Sequence, residues 1–110
     1  MSLIARVWFG KGRRESAGEY VEYVRNTGVK DLTATEGNRG VLVLKRDGNE
    51  TFDIGVISFW RSLHDVKRFA GRDINKAVYY EKDREYLLSM EPELLHYEVP
   101  IVEGILISDL

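Results

Sequence analysis

Histidine is the residue type whose unperturbed side chain titrates near neutrality, and the two in this sequence, His64 and His96, are its first candidates for moving a proton. His64 stands beside Asp65 on what reads as a helix flank, where water solvates it. His96 is the better candidate, because it falls inside the β-rich run Glu93 to Val99. Alternation along that run places it with Leu94 and Glu98, opposite Tyr97, and Arg6 can share the row from another strand. A structural His–Glu–Arg cluster is therefore the competing reading of His96. No cysteine occurs, which removes disulfides, thiolate zinc sites and cysteine nucleophiles. Two histidines are too few for a multi-histidine metal site within one subunit, so no metal is expected.

Charge excludes further classes. The 110 residues carry a formal net charge of −2, whereas a general nucleic-acid surface shows as a basic excess. The run Lys11-Gly12-Arg13-Arg14 lacks the phosphate-cradling pattern of a P-loop and reads as a soluble loop. No apolar run approaches the roughly 18 residues of a membrane span, and no secretory leader is apparent. The expectation is a cytoplasmic chain with no nucleic-acid or membrane partner. One domain is expected over residues 1–110, since the length suits one core and falls short of two.

The elements that must position these residues follow from periodicity. Ile4 to Phe9 is β-rich and ends in Gly10-Lys11-Gly12. Ala17, Tyr20, Val21 and Val24 recur at helical spacing, with Gly28 where a left-handed cap would fall. Val29 to Thr35 adds a short turn before the loop Glu36 to Arg39. Gly40 to Lys45 and Phe52 to Trp60 are strands joined through Asp47-Gly48, a hairpin signal resting on glycine's access to positive φ. Ser62 and Asp65 form a capping box ahead of the stripe Leu63, Val66, Phe69 and Ala70, which Gly71 closes. Asp73 can cap another turn carrying Ile74, Ala77 and Val78, and Asp83 to Ser89 reads as helical up to Pro92. Glu93 to Val99 is the last strand, and the tail Ile101 to Leu110 is apolar enough to need a partner.

The order is β-α-β-β-α-β, an α+β fold of ferredoxin-like plan with an antiparallel sheet and helices on one face. The other face is then bare. The all-apolar rows Ala5, Val7, Phe9 and Leu95, Tyr97, Val99 suit the helix side, together with Ile54, Val56, Ser58 and Trp60. The remaining rows, with Trp8, Ile57 and Phe59, stay too apolar for water. A homodimer through that face is the expectation.

The stretch from Phe59-Trp60 through Leu63 to Phe69, Tyr79-Tyr80-Glu81-Lys82-Asp83 and His96-Tyr97-Glu98-Val99 resembles the antibiotic-biosynthesis-monooxygenase family, within the dimeric α/β-barrel group. The resemblance runs from Ile4 to about Val99. It implies two ferredoxin-like subunits packed sheet to sheet, each with a pocket between sheet and helices. Characterised branches are cofactor-independent oxygenases of aromatic polyketides and quinol-like compounds, and another branch degrades haem. The haem branch places a ligating histidine near the end of the helical region after the strand-terminal tryptophan. Phe69 to Tyr80 contains no histidine, and Arg6-Val7-Trp8 lacks the asparagine expected on strand one. Haem is therefore not expected.

Cofactor-free oxygenation asks for an apolar pocket, donors for a developing oxyanion and a base. On this resemblance Trp60, Phe69, Tyr79 and Tyr80 shape the pocket, Ser58 and Tyr97 offer polar groups on the same face, and His96 and Tyr97 are the catalytic candidates. The expected function is a monooxygenase acting without a cofactor on a small aromatic or quinol-like compound. The alternative is a non-enzymatic dimer binding a small hydrophobic ligand in the same pocket. Each residue also has a plainer role. Trp60 suits a core anchor, Ser58 makes room beneath a helix, at most one of Tyr79 and Tyr80 is expected to line a pocket, and Tyr20 and Tyr23 read as ordinary packing. A cavity of about 300 Å³ or more with convergent polar groups would support an enzyme or a binder, and a fully packed interior a purely structural dimer, the third reading.

Overall fold

A computed structural model describes residues 3–104 of the chain. Strand β1 spans Leu3–Arg13, β2 Asn38–Asp47, β3 Thr51–Trp60 and β4 Leu95–Val99. They form one antiparallel sheet in the order β2-β3-β1-β4, the ferredoxin-like arrangement expected from the element order. Helix α1 (Ala17–Val24) runs through a π-helical turn at Arg25–Val29 into α2 (Lys30–Ala34), and α3 (Leu63–Ala70) and the short α4 (Asp83–Tyr86) complete the helical layer.

Register decides which side chains meet the helices. Ile4 lies opposite Trp60, Arg6 opposite Ser58 and Trp8 opposite Val56, while Arg6 also lies opposite His96. Directly opposed residues share a face. The β3 row Phe52, Ile54, Val56, Ser58, Trp60 packs beneath the helices as expected, and with it come Arg6, Trp8 and His96. Strands one and four are thus turned over relative to the sequence reading. Ala5, Val7, Phe9, Leu95 and Tyr97 belong to the face without helices, where Phe9, Leu95 and Tyr97 are exposed. Trp8 leaves that face; Ile57 and Phe59 stay on it.

Two apolar clusters make the core. Ala17, Tyr20 and Val24 of α1 pack on Phe52 and Ile54 with Leu87, and Leu32 of α2 packs on Trp60 and Val66 of α3. The second cluster explains why the helix passes Gly28 instead of ending there: only by continuing does the chain bring Leu32, 4% exposed, onto Trp60. Gly28 is accordingly no left-handed cap. The hairpin forms around Gly48, whose N–H donates to the Thr51 carbonyl at 2.8 Å, but Gly48 does not use positive φ.

Helix α3 starts as its sequence indicates. The Ser62 hydroxyl accepts the Asp65 N–H at 3.2 Å, and Gly71 at φ 84° ends the helix. Leu63 is exposed, so the buried stripe reduces to Val66 with Phe69 and Ala70. The turn expected from Asp73 forms, its Oδ1 accepting the Asn75 N–H at 3.1 Å and its carbonyl the Lys76 N–H at 3.2 Å. Around that turn the Ala77 N–H donates to the Pro92 carbonyl and the Leu94 N–H to the Asn75 carbonyl, each at 2.9 Å. These long-range bonds hold residues 71–82 as an irregular strap across the sheet end. Helix α4 is shorter than the expected Asp83 to Ser89, and β4 begins at Leu95 rather than Glu93. Of the apolar tail, Ile101 and Val102 are exposed, and residues 105–110 lie outside the described part. Among the described residues, no helix is long and apolar enough to cross a membrane.

Candidate functional site

The two core clusters do not close completely on each other. Between them lies a cavity of about 70 Å³ with an open side. The sheet supplies Arg6, Trp8, Val56 and Ser58 as its floor, and the helices supply Tyr20, Val24, Leu32 and Phe69. Gly28 lines the helical wall, and Val78, Tyr79, Tyr80 and Asp83 form the remaining side. The strap contributes the tyrosines because it is irregular. Tyr79 and Tyr80 need not alternate as they would on a strand, and both reach the cavity. The volume is below the 300 Å³ anticipated for a drug-sized ligand. It suits a small planar group whose remainder projects through the open side.

Four of the seven residues singled out from the sequence line this cavity: Ser58, Phe69, Tyr79 and Tyr80. Trp60 does not. It is fully buried in the second cluster, its indole N–H donating to the Ser58 hydroxyl oxygen at 2.8 Å, which is the core-anchor role. Tyr97 stands on the opposite face of the sheet, 51% exposed, and shares no face with Ser58. His96 is on the helix side, behind Arg6 and not on the cavity wall. The Arg6–His96 cluster anticipated at the bare face exists, but beneath the strap.

Arg6 organises that end of the cavity. Its Nη1 donates to the Ile74 carbonyl at 2.6 Å and to His96 Nε2 at 3.1 Å, and Nη2 donates to the Lys76 carbonyl at 2.9 Å. Its guanidinium carbon sits 5.7 Å from the centre of the Phe69 ring. A guanidinium can only donate, so the His96 Nε2 facing it carries a lone pair and the proton resides on Nδ1. That Nδ1 is buried and has no hydrogen-bond partner among the described residues. Burial and the neighbouring Arg6 charge both push the His96 pKa below its ordinary value. His96 is thus a neutral imidazole whose basic nitrogen is already engaged. In this arrangement it orients Arg6.

The phenols are fixed as well. Tyr79 accepts the Trp8 indole N–H at 3.1 Å and donates to the Glu91 carbonyl at 2.5 Å. Tyr80 donates to Asp31 at 2.7 Å, and Tyr20 donates to Asp83 Oδ1 at 2.9 Å. Burial raises the pKa of all three, with Asp83 and Asp31 adding to the effect for Tyr20 and Tyr80 respectively. They act as neutral donors and not as phenolate bases. The other oxygen of Asp83, Oδ2, accepts the Tyr80 backbone N–H at 2.6 Å. The cavity therefore has a cationic end at Arg6 and a carboxylate end at Asp83.

Sequence reasoning did not pick out Tyr20, Trp8 or Asp83 as cavity residues, and placed Arg6 on the wrong face. A signal for Arg6 was present: a lone arginine between Ala5 and Val7 is costly at a sheet interior unless it serves something there.

The fold has solved counterparts. A provisionally assigned antibiotic biosynthesis monooxygenase from Bacillus cereus superposes with a TM-score of 0.67, covering 96% of this chain and 100% of its own, at 12% identity. A protein of unknown function from Nitrosomonas europaea superposes with a TM-score of 0.61, covering 96% of this chain and 95% of its own, at 15% identity. No family model matches the chain, and neither does any curated protein sequence. The likeness is one of fold.

Proposed function

We propose that this chain is a cofactor-independent monooxygenase acting on a small aromatic or quinol-like compound. The observation that carries the reading is an aromatic cavity behind the sheet into which Arg6, Ser58 and Tyr79 bring polar groups. The shared fold with the Bacillus cereus protein supports it. In such a reaction the substrate provides the electrons. A ring methylene loses both hydrogens, one oxygen atom enters as a ketone, and the other leaves as water. The protein excludes bulk water, holds the ring between Trp8, Phe69 and Tyr79, and stabilises the developing oxyanion by hydrogen bonding. We further propose that the molecule is a cytoplasmic homodimer, paired through the apolar sheet face bearing Phe9, Leu95 and Tyr97.

Oxygen uptake tests the activity. Purified protein should accelerate the consumption of dissolved oxygen by a panel of anthrones and quinols, in step with formation of the ketone product. No uptake above the spontaneous rate with any compound overturns it. A non-enzymatic binder is the second reading, favoured by one observation: the basic nitrogen of His96 is engaged by Arg6, and His96 does not line the cavity. Retained ligand without uptake decides for the binder.

A further inference from the structure

We propose that the cavity takes its ligand as an anion, with a ligand oxyanion seated against Arg6 Nε and the Ser58 hydroxyl. The inference deepens the reading of this cavity as a ligand site, and it holds for catalyst and binder alike.

Arg6 is 4% exposed, yet no carboxylate among the described residues forms an ion pair with it. The arginines that do form ion pairs among the described residues sit at the surface, where pairing matters least. A buried cation lacking a counter-charge is costly, and carbonyl oxygens and an imidazole offset only part of that cost. A structural clamp on the strap accounts for three of its donor hydrogens, those bonded to Ile74, Lys76 and His96. The Nε–H and the second Nη2 hydrogen have no protein acceptor among the described residues, and Arg6 lines the cavity.

Ser58 supplies a second donor beside it. The two residues are opposed across β1 and β3, so their side chains stand on the same patch of the cavity floor. The Ser58 oxygen accepts from Trp60, which leaves its own proton to be donated. Burial pushes the Arg6 pKa down to about 10, so the group remains charged at neutral pH. At the opposite end Asp83 repels a second negative group, giving the ligand one orientation: oxyanion toward Arg6, neutral edge toward Asp83 and the strap tyrosines. The aromatic walls between them suit a ring. The class is therefore a monoanionic aromatic, either a carboxylate or the deprotonated oxygen of a phenol or enol.

Calorimetric titration with matched pairs distinguishes these. Benzoate against benzamide tests the carboxylate. 4-Nitrophenolate against 4-nitroanisole, above the phenol's own pKa, tests the phenolate. At least one anion should bind the full-length protein at least about tenfold more tightly than its neutral isostere, the scale of one charge-assisted hydrogen bond. Arg6→Met should abolish that preference. If Arg6→Met does not fold, the Arg6 Nε–Hε nuclear magnetic resonance of the unmodified protein replaces it, and should shift with the anion and not with the neutral partner. Equal affinity within both pairs, no binding of any probe, a preference that survives Arg6→Met, or an unmoved Nε–Hε signal overturns the proposal. Because no probe needs to be oxidised, these results are independent of oxygen uptake.

Discussion

At the residue scale, the Arg6–His96 contact sets a pH limit on the fold. The imidazole is held neutral in the native state, with its pKa below the ordinary 6.5, whereas the unfolded chain titrates near that value. Below pH 6.5 the unfolded state therefore binds the extra proton first. The contribution of His96 is complete above pH 6.5 and is lost as pH falls toward the depressed native pKa. Urea unfolding at pH 7 and pH 5 should show a loss of stability that His96→Gln diminishes, since its side-chain oxygen can accept from Arg6 without titrating. An unchanged pH dependence in the variant refutes this. The sequence could not settle which face His96 occupies. Alternation discriminates when one face is dry and the other wet, but here the helix-free face is as apolar as the helix side. The polar residues Arg6 and Ser58 mark a cavity in the core, and contrast read as solvent exposure assigns β1 and β4 to the wrong sides.

At the element scale, Gly28 sits within a continuous helical path where it lines the cavity. A Cβ there meets the Tyr80 ring at 3.8 Å, an ordinary contact. Gly28→Ala should stabilise the protein by about 0.5–1 kcal/mol through helix propensity and unfolded-state entropy. The same methyl group narrows the cavity, so the variant should melt higher and bind aromatic anions more weakly. Loss of stability would show that the π-helical turn needs glycine's backbone freedom. Helix α3 was legible because its start and stop are local: Ser62 with Asp65, then Gly71. The strap was not, because its backbone bonds reach Pro92 and its carbonyls reach Arg6, partners that no short window of sequence contains.

At the scale of the whole molecule, the strand order followed from the element sequence, and the apolar character of the free sheet face was legible even though its membership was not. Ile57 and Phe59 were expected there and lie there; Trp8 gives way to Val7, Phe9, Leu95 and Tyr97. Leu95 is 62% and Phe9 57% exposed, on a face that bears no helix. Phe9 lies over Gly55, whose missing side chain makes room for the ring. The double variant Phe9→Glu, Leu95→Glu should convert a dimer into a monomer in light scattering while leaving the far-ultraviolet circular dichroism unchanged. A monomeric unmodified protein, or a variant that still dimerises, removes the sheet-to-sheet proposal.

The two tryptophans have unequal surroundings, and light makes the difference useful. Trp60 is sealed from water, with its indole N–H held by Ser58, whereas Trp8 is tied to Tyr79 at the cavity wall. The first should emit at a constant, blue-shifted wavelength, and the emission of the second should respond to whatever sits beside it. In Trp60→Phe the steady background is gone and Trp8 alone emits. A change in its emission on adding an aromatic anion would report occupancy of the chamber, and unchanged emission would count against it.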